Sequence, residues 1–186
     1  MKIEIKKTVL SALMSITCLG LMAQKQITRE AYIKFYSSTP IEDIEAVTKK
    51  ASSVLDVSNG EFACQVLMKS FHFEKALMQE HFNENYVESE KYPKAVFKGK
   101  IIGYEKGFDL SSDQIIEKKV KGTLSIHGVD MDIAVECSFE IRSGKVTQKS
   151  QFIVYPSDFE IQIPGAVIDK ISDKIEVTFK AEYSPL

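Results

Sequence analysis

Strict alternation of apolar and polar residues is the feature of this chain that most constrains its fold. Between Asp132 and Ile141 the odd-numbered positions are apolar and the even-numbered ones are mostly polar or charged. The segment from Ile175 to Tyr183 repeats the pattern. Successive side chains of a β-strand point to opposite faces, so a period of two predicts strands with one apolar and one solvated face.

Similar segments recur along the chain, and most of the connections between them are short. One stretch, 73–83, changes to helical spacing and predicts a short helix. Amphipathic antiparallel strands in this number close well into a barrel, which leaves no exposed edge. We therefore predict an all-β fold, an eight-stranded antiparallel up-and-down β-barrel with an apolar interior. The predicted strands are 30–38, 44–57, 62–68, 94–101, 119–126, 132–141, 146–154 and 175–183.

Three dipeptides mark tight turns between these strands. Asn59-Gly60 is the strongest hairpin signal, because both residues tolerate a positive φ, and it predicts a type I′ turn. His127-Gly128 and Ser143-Gly144 also read as turns. These turns would join neighbouring strands in the order of the chain.

The N-terminus has the features of an export signal. Residues 1–23 begin with basic residues and continue with an apolar run from Thr8 to Met22, and Ala23 before Gln24 is a plausible cleavage point. We predict a signal peptide over 1–23, one mature barrel domain over 24–186 and a periplasmic or secreted protein. No second long apolar run follows, so no transmembrane segment is expected after cleavage.

The cysteines leave two alternatives open. Cys18 could be a lipoprotein attachment site, but Thr17 is bulkier than the usual preceding residue, so we favour a soluble exported protein. Cys64 and Cys137 lie on apolar faces of predicted strands, where a thiol behaves as a small hydrophobic group. An oxidising compartment would permit a disulfide between them, although free thiols are favoured.

Composition and motifs exclude several function classes. The chain has 24 basic and 26 acidic residues, and loss of 1–23 would make the net charge more negative, so nucleic acid is not an expected partner. The three histidines, His72, His81 and His127, show no metal-ligand spacing. We predict no metal and no cofactor. The inward-facing positions carry no Asp, Glu, Lys or His, which argues against an enzyme.

Two motifs carry a family resemblance. The first is His81-Phe82 followed by a polar stretch with aromatics, then Lys91-Tyr92-Pro93 and Phe97. The second runs from Gly122 to Asp130 and reads Gly-Thr-Leu-Ser-Ile-His-Gly-Val-Asp. On these motifs the chain resembles the YceI-like family of bacterial lipid- and polyisoprenoid-binding proteins over essentially residues 26–184. The resemblance implies a lipocalin-like barrel that holds a long apolar chain, such as an isoprenoid or a fatty-acid derivative.

The candidate ligand-binding residues are the inward positions of the strands. Each could line a pocket or merely fill a core, and the resemblance favours the pocket. Gln148 and Ser150 would contact a ligand head group or ordered water, unless the strand register slips and Gln148 faces solvent. The candidates are Phe62, Val66, Phe97, Leu124, Val135, Phe139, Gln148, Ser150, Phe152, Val177 and Phe179.

Three functions remain compatible with the sequence. The leading hypothesis is a binding or carrier protein for a long-chain apolar ligand. A structural or stress-related envelope protein with a self-filled barrel is the alternative, and a lipid-modifying enzyme is a weaker one. Gly99, Gly122, Ser150 and Ala181 leave room beside the phenylalanines, so residue volumes alone do not decide between them. A monomer and a homodimer are both compatible with the sequence.

Overall fold

The computed structural model describes residues 25–105 and 107–186. The predicted signal peptide over 1–23 and the alternative lipidation site at Cys18 lie outside the described residues. Within the described ranges, the chain forms strands with one short α-helix, several 3₁₀ turns and one π-helical turn. The strands are β1 (Lys25–Ser38), β2 (Asp43–Asp56), β3 (Glu61–Leu67), β4 (His72–Phe73), β5 (Lys94–Ile101), β6 (Gln114–Ile126), β7 (Val129–Arg142), β8 (Lys145–Val154), β9 (Ile175–Glu182) and β10 (Ser184–Pro185).

The eight long strands close into an antiparallel barrel, as predicted. The order around the barrel is β1-β9-β8-β7-β6-β5-β3-β2, and pairing of β2 with β1 closes it. The two-residue strands β4 and β10 pair with β2 and β1. Burial alternates along β7, where Val135, Cys137, Phe139 and Ile141 are buried and their neighbours face outward. The period-two pattern therefore places the apolar faces inside the barrel.

The largest differences from the predicted strand boundaries are at the starts of β1 and β6. β1 begins at Lys25 rather than at residue 30, and β6 begins at Gln114 rather than at 119. The first half of β6 is highly polar, which hides its strand character, but pairing with β7 from Gln114 opposite Ile141 keeps it in the sheet. The predicted helix is α1 (Ala76–His81), followed by a π-helical turn over Phe82–Tyr86.

Two of the three predicted turns have the predicted tight geometry. His127 and Gly128 have φ values of 53° and 79° and connect β6 to β7. Ser143 and Gly144 have φ values of 49° and 77° and connect β7 to β8. Positive φ at both central residues is what a type I′ turn requires.

The predicted type I′ turn at Asn59-Gly60 is wrong. β2 and β3 do form a hairpin, with Leu55 opposite Phe62, but the connection spans four residues, 57–60. Only Gly60 has a positive φ, 76°, and its N–H donates to the Asp56 carbonyl at 2.8 Å. The Asp56 carboxylate accepts hydrogen bonds from the Ser58 side chain and N–H, which favours a wider loop. Local side-chain hydrogen bonding thus overrides the dipeptide preference.

Gly60→Val is expected to destabilise the fold by about 2–4 kcal/mol, since it adds backbone strain and a steric clash. A Cβ at Gly60 would lie 2.7 Å from Cγ of Tyr104, whose hydroxyl is held by the Val57 carbonyl at 2.6 Å. Gly103→Val is the matched control, because Gly103 also has a positive φ but no atom lies within 4 Å of its Cβ position. Thermal unfolding should show a larger loss of stability for Gly60→Val than for Gly103→Val. Equal losses of stability would contradict the expected clash with Tyr104.

One end of the barrel is filled by its own side chains. Phe139 packs against Phe108 with ring centroids 5.0 Å apart, and Phe108 packs at the same distance against Tyr104. Phe139, Ile141 and Val146 have no exposed surface. We call the cluster of Tyr104, Phe108, Phe139, Ile141 and Val146 the floor. It closes the end of the barrel at which β2 meets β3.

Candidate functional site

An internal cavity of about 500 Å³ occupies the barrel above the floor. This volume lies within the range of typical small-molecule pockets, about 300–1,000 Å³. Its walls are side chains from the barrel strands, from α1 and from the segment 155–174, which we call the roof. Leu77 of α1 and Lys170 of the roof line the cavity and are also exposed, so they mark its mouth. The arrangement is a deep apolar pocket with one open end.

Nearly all of the candidate residues predicted from the sequence lie on the cavity wall. They come from six strands and are brought together by closure of the barrel. Whether they contact a ligand remains a prediction. The candidates on the wall are Phe62, Val66, Phe97, Leu124, Val135, Gln148, Ser150, Phe152, Val177 and Phe179.

Phe139 is the exception among the predicted residues. It points into the barrel, as its position in the alternation requires, but it does not line the cavity. It is fully buried against Phe108 of the loop between β5 and β6. Periodicity gives the face of a strand and not the depth along the barrel axis, so Phe139 is corrected from a wall residue to a floor residue.

Gln148 faces inward, so the register of β8 does not slip. Its Oε1 accepts a hydrogen bond of 2.8 Å from the Tyr183 hydroxyl, and Ser53 Oγ lies 2.8 Å from the same hydroxyl. Its Nε2 donates to Cys137 Sγ at 3.5 Å. The amide is only 1% exposed. Protein partners therefore satisfy much of this buried polar group, which lowers the cost of its burial.

The thiols of the cavity wall are free and unreactive in character. Cys64 and Cys137 form no disulfide. Burial raises the pKa of Cys64 to about 12, and burial also raises the pKa of Cys137. Burial raises the pKa of Tyr183 well above its usual value. These groups stay neutral near pH 7, so the inner cavity offers no thiolate nucleophile.

Four phenylalanines near the mouth were not among the ligand-binding candidates predicted from the sequence. Phe35, Phe71, Phe73 and Phe82 form a cluster with ring centroids 5.1–6.0 Å apart, and all line the cavity. Phe35 follows the alternation of β1 and could have been predicted. Phe71, Phe73 and Phe82 lie where the strand pattern breaks, so their inward position depends on how the chain folds back over the barrel.

The roof adds apolar wall and the mouth carries the charges. Ile161, Ile163, Val167 and Ile171 of the roof line the cavity. Among the described residues, the acidic and basic side chains on the lining lie at the mouth, namely Glu42, Lys75, His81 and Lys170. Glu42 and Lys75 pair at 2.6 Å. The interior is therefore suited to apolar groups, and a charged group would be met only at the opening.

The two sequence motifs meet beside the mouth. His127 Nδ1 lies 3.0 Å from the Phe159 carbonyl of the roof, and Nε2 lies 2.9 Å from the Glu88 carboxylate. The Tyr92 ring packs on His127 with centroids 4.5 Å apart and covers Gly128, where a Cβ would lie 2.6 Å from its ring. Glu88 belongs to the polar stretch of the first motif, and its carboxylate contacts His127 of the second. The motifs thus fasten the roof to the barrel.

His127→Ala is expected to reduce stability by about 1–3 kcal/mol, because two hydrogen bonds are lost and the buried Phe159 carbonyl loses its partner. Hydrogen exchange should rise over residues 156–171 more than elsewhere. His127→Asn is the control for backbone strain, since Asn tolerates the positive φ at this position but is too short to reach both partners. Unchanged exchange of the roof in His127→Ala would contradict the fastening role.

In residues 25–105 and 107–186, no group of three or more His, Cys, Asp or Glu side chains converges as a metal site. In the same part of the chain, no helix is long and apolar enough to cross a membrane.

The fold and the cavity define a lipocalin-like protein class, a closed eight-stranded barrel with an internal apolar pocket. Within that class the chain belongs to the YceI-like family. The model of the YceI-like domain matches residues 23–183, which is most of the chain. No curated protein matches the sequence significantly.

Solved structures share the fold at low sequence identity. A polyisoprenoid binding domain from Saccharophagus degradans, described as implicated in plant cell wall breakdown, is 15% identical with a TM-score of 0.70 and covers 88% of this chain and 99% of its own. BcnA of Burkholderia cenocepacia is 14% identical with a TM-score of 0.70, covering 83% and 96%. The YCEI protein of Campylobacter jejuni is 20% identical with a TM-score of 0.56, covering 74% and 82%.

Proposed function

We propose that this protein is a non-catalytic binding or carrier protein for a long-chain apolar molecule held inside the barrel. The observation that carries the proposal is the cavity of about 500 Å³, whose interior is apolar and whose charged side chains, among the described residues, lie at the mouth. Each methylene buried there contributes about 0.8 kcal/mol. A linear chain without internal charges suits this wall best. The ligand class we favour is a polyisoprenoid or a fatty-acid derivative.

The relatives and the chemistry of the wall support this class. One structural relative carries the description of a polyisoprenoid binding domain. A lipid-modifying enzyme would need a group at the ligand that can exchange protons near pH 7, and the polar groups that the described residues place on the inner wall are neutral thiols, hydroxyls and an amide. A self-filled structural barrel would need side chains in the space that is open above the floor. The cavity favours the carrier over both alternatives.

Lipid extraction tests the proposal most simply. Protein purified without detergent from its native host is extracted with organic solvent, and the extract is identified by mass spectrometry. The expected result is a long-chain apolar compound in amounts comparable to the protein. Protein denatured before the same purification steps serves as the control for adventitious lipid. An extract no richer than this control would count against the carrier function.

We also propose that residues 1–23 direct export and that the mature protein begins near Gln24. The basic start and the apolar run of the N-terminus support this proposal. The mass of the protein recovered from the cell envelope distinguishes the alternatives. The expected mass is that of a chain that begins at Gln24. A mass that matches a chain beginning at acylated Cys18 would favour a lipoprotein.

Binding inside the barrel does not depend on the oligomeric state, because each barrel forms a complete cavity from its own residues.

A further inference from the structure

Several of the exposed large apolar side chains lie at the mouth of the barrel. Ile41, Tyr155 and Ile168 are exposed by 62%, 39% and 58% although they are large and apolar or aromatic. Ile41 lies in the turn between β1 and β2, Tyr155 follows β8, and Ile168 lies in a 3₁₀ turn of the roof. We call these three residues the rim.

The rim lies at the same end of the barrel as the opening of the cavity. Each rim residue is a direct sequence neighbour of a residue on the wall, respectively Glu42, Val154 and Val167, but none lines the cavity itself. Leu77, which does line it, is exposed by 61% at the same end. Exposed apolar side chains beside the opening of an apolar pocket suit contact with an apolar or amphipathic partner.

Charge at this end favours insertion over electrostatic attraction. Lys75 is paired with Glu42, and the roof carries acidic residues, Asp158, Glu160, Asp169 and Asp173, beside its lysines. A partner bound through this surface would be held by burial of apolar side chains. Tyr155 suits the boundary between water and acyl chains, because its ring is apolar and its hydroxyl is polar.

We propose that the rim docks on the surface of a neutral lipid bilayer, so that the cavity opens directly onto the membrane. The inference rests on the proposed carrier function. A long apolar chain is costly to expose to water, because each methylene loses the favourable free energy of burial. Docking by the rim lets the chain pass between bilayer and cavity without that exposure. The exposed side chains at the opening then have a defined use in transfer.

The test measures transfer of pyrene-labelled dodecanol from the loaded protein to phosphatidylcholine vesicles that contain a quencher. Docking predicts a transfer rate that rises in proportion to vesicle concentration. Ile41→Ser combined with Ile168→Ser should lower the rate about tenfold, because two apolar anchors are lost. The matched control is Ile102→Ser combined with Ile115→Ser, two exposed isoleucines near the floor, and it should transfer like wild type. Added salt, from about 0.05 to 0.5 M, should change the rate less than about twofold.

The outcomes separate this inference from the carrier function. If wild type does not take up pyrene-labelled dodecanol, the carrier function fails. If it takes up the probe but the rate is independent of vesicle concentration, the ligand passes through water and the docking inference fails. An unchanged rate in the rim variant also overturns it. A concentration-dependent dimer of wild type that the rim variant abolishes would assign the rim to a second copy of the chain instead.

Discussion

Gly122→Ala should destabilise the protein by more than about 3 kcal/mol. The new methyl group has no space, because it would clash with backbone atoms that cannot move aside as a flexible side chain can. Gly122 of β6 lies directly opposite Gly99 of β5. A Cβ at Gly122 would overlap the Lys98 carbonyl oxygen and the Gly99 Cα and would lie 2.8 Å from the Lys98 carbonyl carbon. The strands cannot separate without loss of ladder hydrogen bonds. The family motif therefore begins with a glycine for a steric reason.

Gly165→Ala is the matched control for this prediction. No heavy atom lies within 4 Å of the Cβ position at Gly165, and its φ is not in the left-handed region. Its stability should change by less than about 1 kcal/mol, in the direction of stabilisation if at all. Denaturant unfolding of both variants measures the difference. Similar stabilities would show that β5 and β6 do not approach as closely as described.

Val135→Phe should abolish retention of a long apolar chain while the barrel still folds. Val135 is buried on the cavity wall, opposite Val120 in the sheet. The added ring has space to enter because a cavity lies in front of it, and overpacking typically costs about 1–3 kcal/mol. We expect co-purified lipid to fall about tenfold or more, since a blocked cavity forfeits the burial of several methylenes. Quantitative lipid extraction measures the change.

Ala134→Phe is the control for Val135→Phe. Ala134 is the preceding residue of the same strand and faces solvent, so the same ring is added to the outside of the barrel. This variant should carry as much lipid as wild type. Both variants should melt cooperatively. If Val135→Phe is folded and retains its lipid, the interior is not the binding site, and a structural or surface role would replace the carrier function.

The barrel could be predicted from the sequence because closure follows from local rules. Each strand has a period-two pattern, and the turns at 127–128 and 143–144 have residues that adopt a positive φ. These local rules therefore predict which side of each strand faces the interior of the barrel. The loop at 57–60 could not be predicted, because the Asp56 carboxylate and Tyr104 decide its shape, and Tyr104 is distant in sequence.

The depth and the roof of the cavity could not be predicted for a different reason. Phe139 and Val135 share one face of β7, and only the position of Phe108 makes one of them floor and the other wall. The roof has no regular period, so its inward isoleucines could not be recognised. His127 and Glu88 are 39 residues apart in the sequence, and their contact joins the two motifs. No local sequence pattern predicts that pairing.

Photolabelling tests the central claim, that the apolar chain lies inside the barrel. The purified protein is loaded with a long-chain alcohol that carries a diazirine near the end of its tail, irradiated and digested, and the labelled residues are located by mass spectrometry. Our account predicts labels on inward residues such as Phe62, Val135 and Phe152, and loss of these labels in Val135→Phe. Labels confined to outward residues such as Ala134 or Ile153, unchanged in that variant, would contradict it.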